Sequence, residues 1–174
     1  MVHYDFHKEF RAIYDKALRL YQSGSRNADE YFTKLEASFL ASIGVSAQEM
    51  YDYAEDAENY GEPDFETAIM IQLVRRNFFL LVQKGEASKV VLDEASLPAK
   101  TDEVNGIAWL PRLMPKARAK LRGELPRSLM YSCGGDRRFF KEHDIHPAEF
   151  LQLVWQSGDD DKPIIDFVSQ RKKF

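Results

Sequence analysis

Along most of this chain the apolar residues recur every three or four positions, the spacing of one face of an α-helix. Phe6, Phe10, Ile13, Ala17 and Leu20 follow that period, and Gly24 stands where a helix-ending glycine belongs. After a polar link, Thr33 and Glu36 have the spacing of a capping box, which predicts a short helix ending near Gly44. Ser46 and Glu49 repeat the device and open a helix with Met50, Tyr53 and Ala54 inward and Asp52, Glu55, Asp56 and Glu58 outward. The turn Tyr60-Gly61-Glu62-Pro63 ends it. Asp64 then caps a long apolar helix closed by Gly85. Its residues Ile69, Ile71, Leu73, Val74 and Phe78 to Val82 cover most of the circumference, predicting a central buried helix. Arg75 and Arg76 interrupt it, and whichever is buried needs a carboxylate, with Asp15, Glu36 and Asp136 as candidates.

Residues 86–104 lose the helical period and read as a linker. The run Ser88 to Leu92 predicts a short strand paired with residues 107–110, the one β element expected. Pro111 or Pro115 then opens a helix through Leu113, Ala117 and Leu121 to Gly123, and shorter helices follow near 136–142, 147–157 and 163–171. The expected fold class is all-α, or mainly α.

Shifting the chain by 100 residues lays Lys16-Ala17 on Lys116-Ala117, Tyr31 on Tyr131, Glu36 on Asp136 and Phe39-Leu40 on Phe139-Phe140. The register continues through Val45 and Ile145, Glu49 and Glu149, and Pro63 and Pro163. Those positions cap helices, turn the chain or fill a core, so the pattern predicts two duplicated helical modules, 1–85 and 105–174, packed into one globular body.

Composition alters this picture little. With 44% hydrophobic and 30% charged residues in 174, the chain has the make-up of a folded globular protein. It contains one cysteine, which fits a reducing compartment, and its first residues lack the pattern of a secretory signal. No apolar run approaches a membrane span, and a cytoplasmic location is expected. The net charge of −4 divides unevenly: residues 1–99 hold 10 Lys and Arg against 17 Asp and Glu, and residues 100–174 hold 14 against 11. The first module is therefore acidic and the second mildly basic, too mildly to indicate nucleic acid.

The second module carries the motifs that resemble a known family. Leu110-Pro111-Arg112, Lys116-Ala117-Arg118-Ala119, Gly123, Tyr131, Cys133, Asp136, Phe139, Ile145 and Glu149-Phe150 are similar to a bacterial family of unknown function. That family's pattern is an LPR-type opening, DKARA, a glycine-ended helix, Y-x-C-P-L-D, and G-I before a helix with E-F. The resemblance covers about residues 105–170. The chain departs from it at Pro115, at Gly134-Gly135 and at Asp144. The resemblance implies an architecture and no activity.

Candidate chemistry concentrates between Trp109 and Phe140. Cys133 before Gly134, Gly135 and Asp136, with Arg137 and Arg138 behind, is the setting of a nucleophilic or redox-sensing thiol. The structural alternative is that Cys133 and Asp136 occupy the N-cap and N3 positions, as Thr33 and Glu36 do, and that alternative is preferred. Arg112 and Lys116, with Arg137 or Arg138, form a candidate anion site, with Tyr131 and Asp136 as neighbours at the seam between modules. His143 and His146 complete no metal-ligand set, and the acidic segment 56–67 lacks the glutamate a calcium loop needs at its end. No metal and no cofactor are expected. The leading expectation is a non-enzymatic ligand-binding or protein-interaction module for a small anion or a protein partner. The alternative is a small enzyme or thiol redox sensor using Cys133.

Overall fold

The computed structural model describes residues 3–171. The chain is mainly helical, with eight α-helices and one small hairpin among the described residues. It divides into two compact units, residues 1–86 and 87–174.

In the first unit α1 (Phe6–Gln22), α2 (Lys34–Ser42), α3 (Ala47–Tyr60) and α4 (Phe65–Leu81) follow one another through short turns. Side chains the sequence marked as caps begin three of them. Thr33 and Ser46 accept the amides of Glu36 and Glu49, whose carboxylates return to the cap amides, and Asp64 accepts from Thr67. These bonds satisfy amides that a helix start otherwise leaves free. α1 lays Phe6, Phe10, Ile13, Tyr14 and Ala17 against α3 and α4. The Tyr14 hydroxyl donates to the carbonyl of Pro63, in the turn before α4.

α4 differs from the buried central helix expected of it. Ala68, Ile71, Gln72, Val74, Arg75 and Phe79 face inward, while Met70, Leu73, Leu81 and Val82 are exposed. The inward face also carries polar groups: Gln72 donates to the buried Tyr53 hydroxyl, and Arg75 donates to the amide oxygen of Gln83 beneath the Phe79 ring. Arg75 is thus the buried arginine of the pair. Of its expected carboxylate partners, Glu36 is engaged by Lys16 and Asp136 by Lys116. Gly44 turns the chain at φ 73° against this region, where a β-carbon would come within 2.8 Å of Phe79.

The second unit begins with an extended stretch that includes a hairpin, β1 (Glu103–Val104) and β2 (Ile107–Ala108). The strand expected at residues 88–92 does not form; Leu92 instead donates a single backbone bond to Glu124. The reason is the turn. Asn105 and Gly106 both have positive φ, as a two-residue hairpin loop requires, so β2 pairs with the segment immediately before it. Then come α5 (Leu110–Arg122), α6 (Gly134–Glu142), α7 (Pro147–Ser157) and α8 (Lys162–Gln170). α5 packs on α7, and α7 on α8. Pro111 lies in the first turn of α5, where its missing amide costs no bond, whereas Pro115 lies within the helix.

One ionisable group in α3 is held against its preference. Burial pushes the Asp52 carboxyl up to about 6, beyond what its hydrogen bond from Gln48 offsets, and Glu49, Glu55 and Asp56 add to the rise. The folded state therefore holds a proton on Asp52 that the unfolded chain releases nearer its ordinary value of 3.8. The resulting destabilisation is complete above pH 6 and fades as pH falls toward 4. Asp52→Asn should stabilise the protein by up to about 2 kcal/mol at pH 7, with the gain vanishing near pH 4, as read by urea unfolding at both pH values.

Candidate functional site

The polar residues of the second module meet at the junction of α5 and α6. α5 starts from Trp109, whose backbone lies at φ 71° and whose carbonyl accepts the amides of Arg112 and Leu113. Two turns of helix carry Lys116 inward. The segment after α5 returns through Ser132, also at positive φ, to Cys133 at the N-cap of α6. Asp136 projects from the first turn of α6 and is wholly buried.

Three donors converge on this carboxylate. Trp109 Nε1 donates to Oδ1 at 3.0 Å, while Lys116 Nζ at 2.7 Å and the Ser132 amide at 2.9 Å donate to Oδ2. Lys116 is itself only 2% exposed and makes a second contact, 3.2 Å from Cys133 Sγ. Burying an ion pair removes two charges from water, and such a pair persists only where further hydrogen bonds satisfy both partners. Here the indole and the backbone amide supply them.

This arrangement departs from the expected capping box. Cys133 and Asp136 do occupy the N-cap and N3 positions, but the sulfur caps no amide and the carboxylate takes the amide of Ser132 rather than that of Cys133. The glycine pair has its explanation in Trp109. A β-carbon on Gly135 would lie 2.4 Å from the indole ring, whereas one on Gly134 would meet nothing nearer than 3.9 Å.

Of the residues expected to bind a ligand, five are engaged within the unit. The Tyr131 hydroxyl donates to the carbonyl of Pro147, and Arg137 donates to the carbonyl of Ser132. Arg112 donates to the carbonyl of Pro98 and lies 3.6 Å from Glu94. Lys116 and Asp136 hold each other. Arg138 alone of the six is exposed. His143 stacks on Phe139, and His146 caps α7 through Nδ1. Among the described residues no group of three or more His, Cys, Asp or Glu side chains is placed to hold a metal ion. Trp109 and Ser132 were missed by the sequence reading. The side-chain-free position Gly135 was the one available sign that something large lies over α6.

A DUF5069 domain covers residues 96–173. The family is described as a domain of unknown function, and the match takes in the whole resemblance over residues 105–170. The buried ion pair, Cys133 and Trp109 all belong to the DUF5069 domain. No curated protein and no solved structure matches the chain. Among the described residues no helix is long and apolar enough to cross a membrane.

The first unit contains a related but more open pair, Lys16 Nζ to Glu36 Oε2 at 2.6 Å, with both side chains 29% exposed. Partial burial raises the Glu36 carboxyl, but Lys16 and the Thr33 amide and hydroxyl outweigh it and hold the group below its ordinary value. The pair therefore stabilises the fold at neutral pH and ceases to do so as acid protonates the carboxylate. Burial sets the expected contrast between the two pairs. Asp136→Ala leaves a buried ammonium uncompensated and should cost about 3–5 kcal/mol, whereas Glu36→Ala should cost about 1 kcal/mol, both by urea denaturation. Gly135→Ala should cost about 1–3 kcal/mol by overpacking against Trp109, while Gly134→Ala is neutral or slightly stabilising in the same assay.

Proposed function

We propose that this protein is a non-enzymatic interaction module made of two diverged copies of one helical unit. Helix boundaries favour the duplication: α2 and α6 begin at residues 34 and 134, α3 and α7 at 47 and 147, and α2 and α6 end at 42 and 142. The chemistry recurs at the same offset. A lysine from the first helix meets a carboxylate at N3 of the second in each unit, Tyr31 and Tyr131 are both buried, and Gly44 and Asp144 both turn the chain at positive φ. The single cysteine favours a reducing location such as the cytoplasm.

The outward face of α4 carries the interaction reading. Met70 is 48% exposed, Leu73 42% and Leu81 62%, and Ile69 and Leu80 are half-buried beside them. An exposed stripe of this kind along a helix of about 25 Å is a docking surface rather than a solvated face. A small anion at Arg112, Lys116 or Arg137 would have to displace internal partners, so a protein is the better-supported ligand.

The partner that fits the α4 stripe is a second copy of the chain. In a two-fold antiparallel pairing centred on residue 75, Glu66 of one copy meets Lys84 of the other, Ile69 meets Leu81, and Met70 meets Leu80. Opposite charges then close both ends, and Leu73 meets Asn77 near the two-fold axis. Sedimentation of the full chain at micromolar concentration is expected to give a dimer. Leu73→Asp should give a monomer that keeps its helical circular dichroism, because Leu73 is exposed and fills no core. A wild-type chain that remains monomeric at all concentrations, or an unaffected Leu73→Asp dimer, would refute the reading.

A further inference from the structure

The junction of α5 and α6 brings together two groups whose proximity the ion pair does not require: the thiol of Cys133 and the amine of Lys116, with Nζ 3.2 Å from Sγ. The sulfur performs no capping function. At the corresponding N-cap of α2, Thr33 performs it with an oxygen. Cys133 is partly exposed, so a small solute can reach it, whereas Lys116 is closed off behind it. A further polar group in the same turn is unsatisfied. Ser132 is wholly buried, and its hydroxyl has no hydrogen-bond partner.

We propose that Cys133 and Lys116 are the two ends of a covalent bridge formed by hydrogen peroxide or a small hydroperoxide. The Cys133 sulfur attacks the peroxide O–O bond; sulfur is oxidised to the sulfenic acid, and the peroxide is reduced to water. A sulfenic sulfur is open to attack by a neighbouring nitrogen. Asp136, 2.7 Å from Nζ, takes one proton from the Lys116 ammonium, and the freed lone pair attacks the sulfur. The S–O bond breaks, and the departing hydroxide leaves as water with a second proton from the nitrogen. The product is an S–N bond between the two side chains. Counted from the free amine, one thiol, one amine and one hydrogen peroxide give the bridge and two waters. A dithiol reverses the reaction by attacking the sulfur, releasing the amine and then recovering the thiol. The bridge ties α5 to the start of α6 and converts the buried ion pair into neutral groups.

The test is peptide mapping of the full wild-type chain by mass spectrometry after hydrogen peroxide treatment, thiol blocking and digestion. The expected product joins the Lys116 peptide to the Cys133 peptide, lighter than their combined mass by two hydrogens, and disappears on dithiothreitol treatment. A rise in melting temperature that dithiothreitol reverses should accompany it. Cys133→Ser and Lys116→Arg should not cross-link, and Leu73→Asp should cross-link as the wild type does, which keeps this outcome separate from that of the α4 surface. Recovery of Cys133 as a free thiol, or as sulfinic or sulfonic acid with Lys116 in an unmodified peptide, would overturn the proposal. The wild-type measurement decides it even if the Lys116 variant does not fold.

Discussion

The second unit depends on one buried contact, the ammonium of Lys116 against the carboxylate of Asp136. Neither charge has water to fall back on, so the turns into α5 and α6 supply the partners of the pair. The turn into α5 sets the Trp109 indole on one oxygen, the turn before α6 sets the Ser132 amide on the other, and both turns run through positive φ to do so. Conformations that cost backbone energy persist where the surroundings over-determine them, and here the surroundings are three donors aimed at one carboxylate. Gly135 follows from the same constraint, because the indole that reaches Asp136 passes over it.

The related contact in the first unit shows what a less demanding version looks like. Lys16 and Glu36 remain partly in water, and one glutamate oxygen can serve the lysine and the Thr33 cap together. In the second unit the N-cap is a cysteine rather than a threonine, and the N3 carboxylate is on a side chain one methylene shorter. The aspartate then reaches toward Lys116 and Ser132, the cap is left unmade, and the sulfur is left beside an amine. In the buried pair the capping interaction is unmade, and the sulfur lies 3.2 Å from the Lys116 amine.

Helices, their ends and their order were legible in the sequence because they rest on local physics. Thr33, Ser46 and Asp64 cap where their side chains can reach an amide three residues on, whatever surrounds them. The β pairing rests on the Asn105-Gly106 turn, whose positive φ at both residues joins β2 to the segment just before it and not to residues 88–92. The face that α4 turns outward was not legible. A helix apolar around most of its circumference carries no mark of which side is covered, and Met70 and Leu73 read the same as Ile71 and Val74.

The sequence by itself determined a mainly helical chain, the starts of its capped helices, and the likeness of residues 105–170 to a family of unknown function, since periodicity, caps and motifs are all written within short stretches. Only the tertiary structure decided what the charged residues do. Lys116, Asp136 and Arg137 have the composition of a binding site, and the same composition serves a buried network. The difference lies in whether the chain closes over them, and that depends on Trp109 and Ser132, 23 residues apart in sequence and both donating to the carboxylate between them.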